Sequence, residues 1–125
     1  MANGKIKADT LEHSTAGSLD TQYVVNGSAK AWGYFVYASG APNSQDSLNV
    51  SSYDDDGTGQ AGINFSTSMN NNDFCTVAIQ ENNGAPITNN PSGGRTTSST
   101  NVRGRSTSFS DVDTEQNWLV MGDLA

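Results

Sequence analysis

The sharpest chemical cluster in the sequence is Asp54-Asp55-Asp56-Gly57-Thr58-Gly59. Calcium takes about six to eight oxygen ligands, which carboxylates alternating along a loop can supply. These aspartates are contiguous, and the distal bidentate Glu of the helical calcium loop is missing. The same run suits a hairpin turn, because Asp and Gly accept the left-handed dihedrals a turn needs. It is read as a turn, with Asp54 and Asp56 the positions an ion would use if one bound. His13 is the only imidazole. Three copies meeting on an axis would be needed to make it a transition-metal site, so singly it is read as a solvated residue. No metal and no cofactor is expected.

Cys75 is the sole cysteine, which excludes an intrachain disulfide. It sits in the apolar run 73–79 and is expected to be a buried, inert thiol. A catalytic cysteine would want an imidazole partner, and His13 is far away in sequence. Glycoside cleavage needs two carboxylates across a cleft, whereas the acids here gather at 54–56 and 111–115. No nucleophile, base and orienting group recur together, so the chain is read as non-enzymatic.

The remaining polar chemistry is that of amides. Residues 39–45 and 81–94 read as long neutral loops rich in Asn, Ser, Pro and Gly. Amide side chains offer the paired donors and acceptors that sugar hydroxyls need, and an aromatic face gives a pyranose a platform. The candidate glycan-binding residues are Asn43, Gln45, Tyr37, Asn82, Asn83, Asn89 and Asn90, with Tyr53 and Trp118 as further aromatics near loops. Arg95, Arg103 and Arg105 hold half of the six basic residues. They are read as pairing within or between chains, since guanidinium groups grip carboxylates bidentately.

Positioning such residues calls for strands. Only 15% of the 125 residues are charged, and the polarity comes from Asn, Ser, Thr and 13 Gly. Asn, Ser and Gly are poor in helix interiors, while Thr suits strands and Asn and Gly suit turns. No helical stripe of useful length is present, and alternating runs recur between turn clusters. The expected fold is all-β: a small antiparallel β-sandwich or barrel-like knob at 28–125, preceded by an extended N-terminal stem at 1–27. Residues 46–53 read as one strand with Leu48 and Val50 inward, and 60–66 as its return with Ile63 and Phe65 inward.

Residues 29–37 are the most apolar stretch, with Trp32, Tyr34 and Val36 on one side and Phe35 and Tyr37 on the other. A strand apolar on both faces needs cover on both. The core or intersubunit packing set is Trp32, Tyr34, Phe35, Val36, Phe65, Phe74, Trp118 and Leu119. A hydrophobic fraction of 34% is low for a self-sufficient globule, and the polar segment before Val25 could not fold alone. Both features point to a homotrimer.

The formal net charge of −7 argues against duplex nucleic acid and anionic membrane as partners, since both need a basic surface. No run of about twenty apolar residues is present, so membrane insertion is not expected. The first residues lack the apolar core of a secretory signal, and synthesis in a cytoplasm without secretory export is expected.

The ordered set 25–32 (ending Lys30-Ala31-Trp32), 46–59 (Asp46 through Asp54-Asp55-Asp56-Gly57-Thr58-Gly59) and 63–69 (Ile63-Asn64-Phe65 through Met69) resembles the distal part of tail fibre and tail-associated proteins of marine and cyanobacterial phages. That family's pattern is a KAW strand, an SFNVSS strand led by aspartate, a D-x-G-T-G turn and a VNF-T-x-M strand. The likeness spans roughly residues 20–124, about one domain in length. The Trp32 strand is longer and more aromatic here, Pro42-Asn43 replaces a short glycine turn, and 80–95 follows no family pattern. The resemblance implies a β fold and a place in a virion. The expected role is a receptor-binding or tip module of a tail fibre, assembled in the host cytoplasm. Its expected partners are host surface saccharide, two further copies of itself, and other tail or virion proteins through residues 1–25. The alternative is a purely structural adaptor, collar fibre or decoration protein.

Overall fold

A computed structural model describes residues 7–81, 88–89 and 94–125. The described chain is all-β apart from one short helix. An N-terminal arm comes first: β1 (Thr10–His13) pairs antiparallel with β2 (Gly17–Asp20), and α1 (Thr21–Gly27) follows. The sandwich then begins with β3 (Ala29–Ala38), β4 (Ala41–Leu48), β5 (Val50–Gly57), β6 (Gln60–Phe65) and β7 (Cys75–Gln80). It closes with β8 (Thr88–Asn89), β9 (Ser99–Arg103) and β10 (Gln116–Met121). Two four-stranded sheets result, ordered β4-β3-β10-β7 and β5-β6-β9-β8, with every registered pair antiparallel.

Period-two alternation supplies the core between the sheets. The first sheet turns Ala31, Phe35, Trp118 and Val120 inward, and the second turns Ala61, Ile63, Phe65 and Val102 inward. Tyr53 bridges the two layers, its ring centroid 5.1 Å from Phe35 and 6.3 Å from Trp118. The Thr76 and Thr100 hydroxyls meet at 3.2 Å, joining β7 to β9 through the buried interior. Phe65 and Phe74 meet edge to face at 5.7 Å.

Several sequence expectations need correction. The loop expected at 39–45 is a two-residue turn, Ser39-Gly40, at φ 56° and 82°; such a turn matches the twist of its flanking strands. Residues 41–45 lie within β4, with Pro42 on an edge strand, where a missing N–H is tolerated. The single strand expected over 46–53 breaks at Asn49, which takes φ 58° and sends the chain from one sheet to the other. The Asn49 amide fixes that crossing by donating to the Lys30 and Thr67 carbonyls at 3.1 Å and accepting from the Thr67 N–H at 2.7 Å. Alternation therefore resets: Val50 packs on the core while Leu48 faces out.

The aspartates expected in a turn lie on β5, and the turn is Thr58-Gly59 beyond them. Cys75 is exposed rather than buried, because β7 starts there with its odd-numbered residues outward. Trp32 is 37% exposed on the outer face of the first sheet, whereas Phe35, Phe65, Phe74 and Trp118 are buried. Tyr34, Val36 and Leu119 are half-buried, on the same side as Trp32. The segment expected to be extended holds the β1–β2 hairpin and α1, and none of its described side chains is buried.

Candidate functional site

The outer face of the second sheet gathers the polar residues into rows. β5 presents Ser52, Asp54 and Asp56, β6 presents Gln60, Gly62 and Asn64, and β9 presents Ser99, Asn101 and Arg103. One row runs Ser52–Asn64–Ser99 and the next Asp54–Gly62–Asn101. The Asn64 amide donates to the Ser52 hydroxyl at 3.0 Å and to an Asp54 carboxylate oxygen at 2.8 Å. The Asn101 amide donates to Asp56 in the same way.

Gly62 lies at the centre of this array. A Cβ there would come within 3.0 Å of an Asp56 carboxylate oxygen and 3.3 Å of the Asp54 Cβ. The glycine thus lets both carboxylates lean over the middle strand. Each carboxylate keeps spare acceptor capacity after one amide bond, and each amide has its carbonyl free to accept. The unspent groups on this face are therefore mainly acceptors, suited to hydroxyl donors of a ligand. Among the described residues no group of three or more His, Cys, Asp or Glu side chains is arranged to hold a metal.

A second feature escapes the sequence reading. Phe109 is 66% exposed and sits at φ 62°, a region bulky residues rarely enter. Its loop is tightly bonded: Phe109 N–H donates to the Ser106 carbonyl at 2.9 Å, and Ser106 N–H to the Ser110 carbonyl at 2.8 Å. Below the loop, Arg103 bonds Asp111 at 2.6 Å and Arg105 approaches the same carboxylate at 3.6 Å. The Arg103 hydrogen bond, helped by the charges of both arginines, holds the Asp111 carboxyl below its ordinary range despite partial desolvation. A run of serines around one aromatic was the only signal available, and it does not encode a positive φ.

The arginines thus pair within the chain. Arg103 and Arg105 grip Asp111, while Arg95 donates to the Phe74 carbonyl and lies 5.7 Å above the Phe74 ring.

The glycan candidates read from sequence do not converge. Asn43 and Gln45 lie exposed on β4, with Gln45 donating to the Asn43 carbonyl at 3.4 Å. Asn89 is on β8, paired in register with Val102. β4 adjoins β5 and β7 adjoins β8, so these residues lie on opposite edges of the sandwich. Asn82, Asn83 and Asn90 fall outside the described residues. Tyr37 packs its ring 5.8 Å from Phe35, and its hydroxyl is enclosed. Burial first, then the charges of Asp113, Asp55 and Asp56, push that hydroxyl's pKa far up. Tyr37, Tyr53 and Trp118 belong to the core and offer no exposed platform. His13 ends β1 in the arm, outside the sandwich.

No described helix is long and apolar enough to cross a membrane. Comparison of the chain with protein-family models, with curated proteins and with solved structures gave no match.

Proposed function

We propose that the protein is a non-enzymatic receptor-binding or tip module of a bacteriophage tail fibre, working as a homotrimer that recognises host cell-surface glycan. The observation that carries the recognition part is the Asp54–Gly62–Asn101 row with Asn64 and Asp56 around it. Its carboxylates are tied to neighbouring amides on an open strand face, a geometry suited to holding hydroxyls rather than to splitting a glycosidic bond across a cleft. Phe109 adds an exposed ring on a bonded loop, and aromatic faces stack on sugars. The ordered motifs around Trp32, Asp54–Gly59 and Ile63–Met69 support the virion assignment.

The test is a glycan array probed with the purified oligomer, followed by Asn64→Ala and Phe109→Ala. Binding that falls at least about tenfold in both variants with thermal stability unchanged supports the site. A blank array across bacterial surface saccharides argues for the second reading, a structural adaptor, collar fibre or decoration protein. That reading is favoured by the arm at 7–27, whose Leu11, Leu19, Tyr23, Val24 and Val25 are all exposed, as an attachment segment for other virion proteins would be.

A further inference from the structure

The outer face of the first sheet is unlike that of the second. In register across all four strands run Leu48, Trp32, Leu119 and Val77. Leu48 is 48% exposed, Trp32 37% and Val77 44%. Ile79 and Met121 extend the patch along β7 and β10, and Cys75 lies opposite Met121. Exposed apolar patches of this extent mark interaction surfaces.

The same chain carries a second uncovered apolar element. In the arm, Leu11 and Leu19 face each other across the hairpin, 50% and 48% exposed. In α1, Tyr23 and Val25 are 61% and 58% exposed. Val24 and Val25 line an open groove of about 600 Å³ whose other wall includes Asn70, Asp123 and Leu124. Neither the hairpin nor α1 is covered by its own sandwich.

We propose that the arm of one copy covers the apolar outer sheet face of a neighbouring copy, head to tail around a closed ring of three. The inference rests on the trimeric reading above and adds which surfaces meet. A second copy suits this face as its occupant on three counts. Each chain offers one uncovered arm and one uncovered face, and a heterologous contact of that kind closes into a ring when its rotation fits. Four strands spaced about 4.8 Å and about six residues long give a face of about 400 Å². A stable interface needs about 800 Å² per partner; face-to-face stacking buries only the face of each copy, whereas in the ring each copy buries both its face and its arm. Finally, the chain carries a net charge of −7, yet the Leu48–Trp32–Leu119–Val77 row contains no ionisable group. Anionic copies can therefore meet along that row, with Asp46, opposite Tyr34 in the next row, and Glu115, bonded to Tyr34, left at its margin.

Cys75, the single thiol, lies in this face and reports its cover. In the full chain, Val25→Cys adds one thiol to the arm, and a flexible bis-maleimide should then join chains into covalent species of up to three. The wild-type chain, with one thiol, can be linked only in pairs. Light scattering should give three times 13.1 kDa, and native Cys75 should label about tenfold more slowly than in urea, as a covered thiol does. Val25→Asp, with its β spectrum retained, should lose the trimer and restore fast labelling. A trimer in which Val25→Asp changes neither mass nor labelling, and Val25→Cys yields nothing beyond pairs, overturns the arm exchange and leaves the trimeric reading standing. A wild-type monomer with freely reactive Cys75 overturns both. A mass rising only when another virion protein is added, with slow labelling only then, assigns the face to that partner and overturns the exchange.

Discussion

The two outer faces of this sandwich are built by the same rule and end with opposite chemistry. In each sheet the residues that alternate with the core point outward. On β5, β6 and β9 these are Ser, Asp, Asn and Gly, and they bond to one another. On β3, β10 and β7 they include Trp32, Leu119, Met121, Val77 and Ile79. A one-sided antiparallel sheet normally alternates apolar-in and polar-out, and only the second sheet does so. The first behaves as a sheet buried on both sides, though its own chain covers one. A strand's alternation therefore tells which residues share a face, while covering that face needs a further layer.

Substitutions in the interior and on each face can break this comparison. The largest effect is expected for Phe35→Ala, because Phe35 is fully enclosed between the sheets. It should cost about 3–5 kcal/mol of unfolding free energy. A loss in urea titration below about 1.5 kcal/mol would mean that the layers are not packed as described.

Next comes Gly33→Ala. Gly33 sits on the inner face of β3, where a Cβ would press on the Tyr53 hydroxyl and approach Trp118 Cζ2 at 2.9 Å. Overpacking of this kind costs about 1–3 kcal/mol. Gly62→Ala, at the matching central position of the other sheet's outer face, meets only the tip of Asp56 and the Asp54 Cβ. It should cost less than Gly33→Ala in the same titration, and on the proposed reading of this face it should also weaken glycan binding on an array. Equal stability losses would show that the space over Gly62 is as tightly filled as the core.

Trp32→Ala separates the face from the interior. Burial would make it as costly as Phe35→Ala. With 37% exposure it should cost the isolated chain less than half as much. Its effect should shrink with dilution towards that isolated-chain cost, because association adds stability only at high protomer concentration. A loss equal to that of Phe35→Ala and independent of concentration would move Trp32 back into the core.

Much of the architecture was legible in the residues. Alternation placed Ile63 and Phe65 inward and split Trp32, Tyr34 and Val36 from Phe35 and Tyr37. Composition alone gave the all-β class. Three things were not legible, each for a physical reason. Asn49 at φ 58° moves the chain between sheets, and one left-handed asparagine in a polar run leaves no trace in the pattern. Tyr37, Tyr53 and Trp118 flank turns in sequence but are drawn into the core by their area, so adjacency to a loop did not make them platforms. The candidate site depends on Asp54, Asn64 and Asn101 standing side by side, and that register joins segments distant in sequence. Asn43 and Asn89 fell on opposite edges for the same reason.

The smallest expected effect concerns the loop that carries Phe109. Asp111 takes the hydrogen bond from Arg103 and the nearby charge of Arg105, so its carboxyl titrates below the ordinary 3.8 in the folded chain. A depressed folded pKa adds stability above the unfolded value, and that contribution disappears as pH falls through the folded one. The pair is partly exposed, with side-chain exposures of 21% and 27%, so solvent screening keeps its contribution small. Asp111→Asn should therefore lower the melting temperature slightly at pH 7, and the two proteins should converge as pH falls through the depressed titration of Asp111. Raising salt at pH 7 should narrow the gap as well, since exposed charges are screened over about 10 Å at 0.1 M. A gap that persists unchanged into acid would mean that Asp111 acts through its shape in the loop rather than its charge. The positive φ of Phe109 would then be held by the Ser106 and Ser110 backbone bonds alone.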